Sequence, residues 1–245
     1  MAVKLYMLPG SHPSFAAALM LERKGIEYRR VDLVLTLHRT QLRALGFPGK
    51  TVPALRFDGR RVQGSRTISR FLDEVQPEPP LFPADPERRA AVEEAERWGD
   101  EVLQPAPRRL VVWALLHDRG AAATFLEGAK LPIPHAVAAR TSAPFLWTSS
   151  RRNGATDAAV QADLAALPAA LDRVDALIAE GTIGGDEPNA ADYQIATSVR
   201  LLMTFDQLRP QIESRPAGEH AKRIVPSFPG HIPAALPQEW IPTLK

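Results

Sequence analysis

Residues 51–65 read TVPALRFDGRRVQGS. Two short β-prone runs, Ala54-Leu55-Arg56-Phe57 and Arg60 to Gln63, flank Asp58-Gly59. Asp-Gly between such runs signals a tight hairpin, because glycine accepts positive φ cheaply. Ser65 then reads as a helix N-cap. Ile68, Phe71, Leu72 and Val75 follow at i, i+3, i+4 and i+7, which makes one apolar helix face.

Upstream, Val3, Leu5 and Met7 alternate with Lys4 and Tyr6, a strand pattern broken by Gly10 and Pro13. A helix is expected over 15–24, stopped by Gly25, then a strand over 28–34 and a short helix over 38–45, stopped by Gly46 and Pro48. Strand, helix, strand, helix, hairpin, helix is a βαβ unit followed by a ββα unit, which builds a small mixed sheet with helices packed on it. This domain occupies 1–76. Residues 77–86 hold five prolines in ten positions, so neither a helix nor a central strand continues through them, and they read as a semi-rigid linker. Leu81 and Phe82 within it are apolar enough to pin it to a surface.

Beyond the linker strand signals vanish, and 87–225 reads as all-helical. Ala91, Ala95, Trp98 and Val102 fall at helical spacing. Val160, Leu164, Leu167, Leu171, Val174 and Ile178 alternate steps of four and three, with Pro168 expected to kink or break the helix. Residues 189–203 form a third strong helix, preceded by Asn189 and Asp192 at capping-box spacing. The tail, 226–245, carries five prolines and no periodicity, and is expected to lie extended on the surface, anchored by Phe228 and Trp240.

The composition narrows the chemistry. There is no cysteine among the 245 residues, which excludes disulfides, thiolate metal sites and a cysteine nucleophile, and fits a cytoplasmic protein. Net charge is +2, from 30 basic and 28 acidic residues, and the arginine pairs are scattered, so no nucleic-acid partner is expected. No apolar run reaches the roughly 20 residues of a membrane helix, and the first residues do not read as a secretory signal.

Three constellations carry a family resemblance. Val52-Pro53-Ala54-Leu55 resembles the cis-proline signature of thioredoxin-type domains, in which the residue before proline offers its N–H and C=O to a peptide-like ligand. Gly64-Ser65, opening an amphipathic helix, is similar to the Glu-Ser or Gln-Ser turn of cytosolic glutathione S-transferases, with glycine in place of the acidic or amide residue. Pro9-Gly10-Ser11-His12-Pro13-Ser14, followed by Lys24-Gly25-Ile26, resembles the Ser-Pro-x-Ser segment of serine-type members, with the proline displaced from 12 to 13. The capping box at 189–192 supports the same family.

The resemblance implies a thioredoxin-like glutathione-binding domain followed by an all-helical domain. It also implies glutathione, or another small thiol, as co-substrate, no metal, and a two-fold homodimer. Ser11 would hydrogen-bond the thiol and favour the thiolate, with Ser14 and then Tyr6 as fallbacks. Val52, Pro53, Gly64 and Ser65 would hold the peptide, the γ-glutamyl carboxylate resting on the helix N-terminus. Arg109, Trp113 and His117, one stripe at i, i+4 and i+8, would line the pocket for a hydrophobic electrophile. Simpler readings stand beside these: Ser11 and Ser65 as helix caps, Trp113 as core packing, and His12 as a turn or surface residue. At the level of the whole protein the alternative is a non-catalytic ligand-binding or protein-interaction module of the same fold.

Overall fold

The structure, a computed structural model, describes residues 2–243. Its first part is built from β1 (Val3–Met7), α1 (His12–Arg23), β2 (Arg29–Asp32), α2 (His38–Ala44), β3 (Ala54–Phe57), β4 (Arg60–Gln63) and α3 (Ser65–Val75). The sheet order is β2-β1-β3-β4, with β1 parallel to β2 and antiparallel to β3, and β3 antiparallel to β4. Both faces of β1 are covered, as its alternation requires. Val3, Leu5 and Met7 enter the large core shared with α1 and α3, while Tyr6 and Leu8 join Leu33, Leu42, Phe47 and Ala54 on the α2 side. Asp58 and Gly59 both have positive φ, as a two-residue hairpin turn with the strands' own twist demands.

The remainder is helical: α4 (Pro86–Trp98), a π-helical turn (Gly99–Leu103), α5 (Pro105–His117), a 3-10 segment (Ala121–Leu126), α6 (His135–Arg140), α7 (Ala143–Asn153), α8 (Asp157–Ala179), α9 (Ala190–Leu202), α10 (Arg209–Glu213) and α11 (Pro216–Ile224). Between the two parts Leu81 and Phe82 are buried, and Leu81 O accepts from Ala190 N at 2.9 Å. The proline-rich segment is thus fastened to the start of α9. That helix is buried on nearly every side and packs on α1, α4 and α11. Its polar side chains close on its own backbone: Thr197 Oγ1 donates to Tyr193 O at 2.9 Å and Ser198 Oγ to Gln194 O at 3.2 Å. One hydrophobic core therefore runs through both parts, with α9 as its axis.

Several expectations need correction. Helix α8 runs through Pro168 without a break. An interior proline costs about 3 kcal/mol, and the buried stripe Val160, Leu164, Leu167, Leu171, Val174 and Leu177 on both sides of it outweighs that cost. Helix α1 starts three residues before the expected 15, which takes His12, Pro13 and Ser14 into its first turn and buries them. Ser65 is the first helical residue of α3 and Gly64 is its N-cap, with no side-chain cap. The tail is more than a surface strap: Ile232 bridges Phe205, and Ile232 and Leu236 are buried. Phe228 stacks on Phe15 at 4.8 Å and Trp240 on Trp113 at 5.6 Å. Its last two residues lie outside the described residues. Among the described residues no helix is long and apolar enough to cross a membrane.

Candidate functional site

The β1–α1 turn, the 50–53 loop and the start of α3 meet on one cleft of about 590 Å³, closed on its far side by helices of the second part. The turn is set by backbone chemistry. Gly10 has φ +70°, and Ser11 N donates to Leu8 O at 3.1 Å. A Cβ on Gly10 would stand 2.7 Å from Phe125 Cδ1. Phe125 therefore holds this turn in place as well as lining the cleft. Gly10→Ala is expected to lose about 1–3 kcal/mol from backbone strain and the forced shift of Phe125. Thermal melting checks this, and an unchanged midpoint would mean the turn relaxes freely.

Ser11 is the N-cap of α1, but its side chain caps nothing. Ser14, fully buried, donates its hydroxyl to Ser11 Oγ at 2.9 Å. The Ser11 proton is thereby left for a group in the cleft. His12 is buried on the cleft wall rather than on the surface. Burial, then the charge of Arg108, holds its pKa well below the usual imidazole range, and the backbone of Gln104 opposes them. The ring is therefore neutral at pH 7, and its Nε2 makes no well-formed hydrogen bond among the described residues. A depressed folded pKa means that the stability held by neutral His12 is complete above about pH 6.5 and is lost as pH falls through the folded value. His12→Asn is accordingly expected to flatten the acid side of the stability profile below pH 6.5. Denaturant titrations across pH check this, and parallel profiles would contradict it.

Across the turn, the Val52–Pro53 bond is cis. Neither the N–H nor the C=O of Val52 is taken by another described residue, whereas Pro53 O accepts from Gly64 N at 2.9 Å. Gln63 turns away from the cleft, accepting from Gly49 N at 2.8 Å and donating to Thr51 O at 2.6 Å. It ties down the 49–51 loop and does not replace a side chain at 64. Gly64 has φ +93°, a conformation that L residues adopt only with strain, though a Cβ there would meet nothing closer than Thr67 Oγ1 at 3.8 Å. Beyond it Ile68 N is the first amide of α3 with a helical acceptor, so the amides of Ser65, Arg66 and Thr67 and the Ser65 hydroxyl are available at a positive helix end.

The opposite wall comes from Gln104, the N-cap of α5, and from Arg108, Val111, Val112 and Leu115 on one face of that helix, joined by Phe125, Leu126, Leu146 and Leu201. Among the described residues lining the cleft, Lys50, Arg66, Arg108 and Arg152 are cationic and Asp100 alone is acidic.

The cleft thus brings together Ser11, Val52, Pro53, Gly64 and Ser65. It excludes Arg109, Trp113 and His117, whose expected place on its wall is corrected. These three lie on the stripe of α5 turned toward α8. Arg109 pairs with Asp163 at 3.3 Å, Trp113 Nε1 donates to Asp157 Oδ1 at 2.8 Å, and His117 stacks on Trp113 at 4.0 Å. Tyr6 is also outside the cleft, buried edge-on against Phe47. The residue missed from sequence is Arg108. Among the described residues no three His, Asp or Glu side chains are grouped to hold a metal ion.

Residues 5–80 match the family model described as "Glutathione S-transferase, N-terminal domain". Maleylacetoacetate isomerase of Rattus norvegicus is 37% identical over 92 residues, covering 36% of this chain and 43% of that protein. The chain thus spans less than half the length of the curated relatives it matches there. Over nearly the whole chain the fold is that of a glutathione S-transferase from Rhodospirillum rubrum, with TM-score 0.57, 19% identity and 97% of each chain covered. A glutathione S-transferase of Ceriporiopsis subvermispora in complex with glutathione superposes with TM-score 0.59 at 18% identity, over 91% of this chain and 95% of that one.

Proposed function

We propose that this protein, whose residues 5–80 match the glutathione S-transferase N-terminal domain and whose chain is folded as glutathione S-transferases are, binds glutathione and directs its sulfur to a hydrophobic electrophile. Ser11 donates to the sulfur and favours the thiolate. The Val52 N–H and C=O pair with the peptide backbone of the ligand, beside Pro53. The γ-glutamyl carboxylate rests on the Ser65 hydroxyl and the first amides of α3, where the helix dipole favours an anion. A two-fold homodimer belongs to the same proposal.

One observation carries the reading. An unspent hydroxyl, an unpaired backbone donor–acceptor pair and an open helix N-terminus face one cleft whose opposite wall carries Val111, Val112, Leu115, Phe125 and Leu126. Gly64 favours a second reading. It offers no side chain to a ligand's ammonium group, which suits a different small thiol or a non-catalytic carrier of apolar ligands. Turnover of a neutral nitroaryl chloride, with and without glutathione, separates the two. The transferase reading expects a rate that saturates in glutathione. A rate equal to the uncatalysed one, with an apolar dye still bound in the cleft, would favour the carrier.

A further inference from the structure

Arg108 is a charge that the thiol chemistry does not use. It lies on the cleft-facing stripe of α5, with Val111, Val112 and Leu115 beyond it. Its guanidinium donates to the side-chain oxygen of Gln104, a neutral partner. Asp100, which exerts a stabilising field on it, already has its Oδ1 bonded to Gln104 Nε2. No carboxylate of the described residues forms an ion pair with Arg108, whereas Arg66, the other half-buried arginine of the cleft, pairs with Glu101 at 2.9 Å. His12, which feels its charge, is neutral and supplies no counter-charge. A half-buried guanidinium without a counter-ion is expensive unless an anion completes it. A planar carboxylate suits its fork geometry.

We infer that Arg108 is a specificity residue, and that the second substrate is a carboxylate carried on an apolar, aromatic-sized frame. The frame packs on Val111, Val112, Leu115 and Phe125 while its carboxylate reaches Arg108. For the reaction this rests on the transferase reading. The binding claim stands without it.

The probes are 3-nitrobenzoate and its neutral counterpart 3-nitrobenzamide, titrated calorimetrically into the full chain. The acid is expected to bind at least tenfold more tightly. Arg108→Gln is expected to abolish that preference, and Arg108→Lys to keep part of it because the point charge remains. If Arg108→Gln does not fold, Asp100→Asn decides: removing the one acidic group of the cleft must strengthen the preference for the acid. Equal affinities in the wild type, a preference that survives Arg108→Gln, or no strengthening in Asp100→Asn overturns the inference. So does displacement of the acid by glutathione, which would assign Arg108 to the thiol site.

The turnover arm uses 4-chloro-3-nitrobenzoate against its amide. The thiolate sulfur attacks the ring carbon bearing chlorine, the C–S bond forms, chloride leaves with the C–Cl pair, and the thiol proton goes to solvent. Faster turnover of the acid supports the inference. Faster turnover of the amide contradicts it. If neither compound reacts while the acid still binds through Arg108, the transferase reading falls and the anion site stands.

Discussion

Asp192→Ala is expected to cost about 3–5 kcal/mol of stability, from a lost capping box and two stranded backbone donors. Asp192 is fully buried at the start of α9, where Asn189 accepts from Ala191 N and Asp192 N while Asp192 Oδ2 accepts from Asn189 N at 2.8 Å. Its other oxygen accepts from Gly184 N at 2.7 Å and lies 3.2 Å from His220 Nε2. Truncation strands the backbone amides of Gly184 and Asn189 at once, on the helix that packs against both parts of the molecule. Denaturant midpoints check the loss, with Asp192→Asn expected to cost less because it keeps one acceptor oxygen. A loss below about 1 kcal/mol would show that the box is not worth more than an exposed cap.

The same pair sets a pH signature. Burial raises Asp192 to about 6 and lowers His220 to about 4. A raised folded pKa means that stability from Asp192 is complete below its unfolded value and is lost as pH rises through about 6. The depressed His220 acts in the opposite sense, losing stability as pH falls from 6.5 through about 4. The two largely offset each other over that window. Asp192→Asn removes one side of the balance, so its stability is expected to fall more steeply on acidification than that of the wild type.

Ser11→Ala is expected to lower kcat/KM for thiol addition by about 10–100-fold. That factor corresponds to a charge-assisted hydrogen bond of about 1.5–3 kcal/mol to the thiolate. The pH at which the rate reaches half its plateau should rise by about 1–2 units, because the alanine enzyme no longer favours the charged sulfur. Ser14→Ala should have a smaller effect, since Ser14 acts only through Ser11 Oγ. The pH–rate profile is the readout that a purely structural serine would not move. An Ser11→Ala profile superimposable on the wild type would remove Ser11 from the chemistry and leave neutral His12 as the nearest polar group.

Much of this was legible in the sequence, and the failures have physical causes. The Asp58-Gly59 hairpin, the α3 stripe and the Asn189–Asp192 box are local signals whose geometry follows from a few adjacent residues, and all three are present. The α5 wall was not legible. Period 3.6 identifies stripes but not which one faces the cleft. Arg108 and Arg109 differ by one residue, or about 100° around the helix, and Trp113 and His117 drew attention to the wrong side. Only the partners across the interface, Asp157 and Asp163 of α8 and Trp240 of the tail, decide that rotation. From sequence alone His12 reads as a turn residue, because Gly10 and Pro13 break the strand pattern around it. A proline in the first helical turn is compatible with a helix start there, and burial of the imidazole followed. At Pro168 the helix does not break, because six buried apolar side chains of the same helix hold it on both sides.

On the proposed function, the cleft between the β1–α1 turn and the start of α3 holds glutathione. Calorimetric titration with reduced glutathione, in the wild type and in Ser65→Ala, tests it most directly. Binding is expected at millimolar concentration or tighter, weakened at least tenfold in Ser65→Ala because a carboxylate loses a hydroxyl donor at the helix end. Absence of binding in the wild type, or binding that Ser65→Ala leaves unchanged, would contradict it.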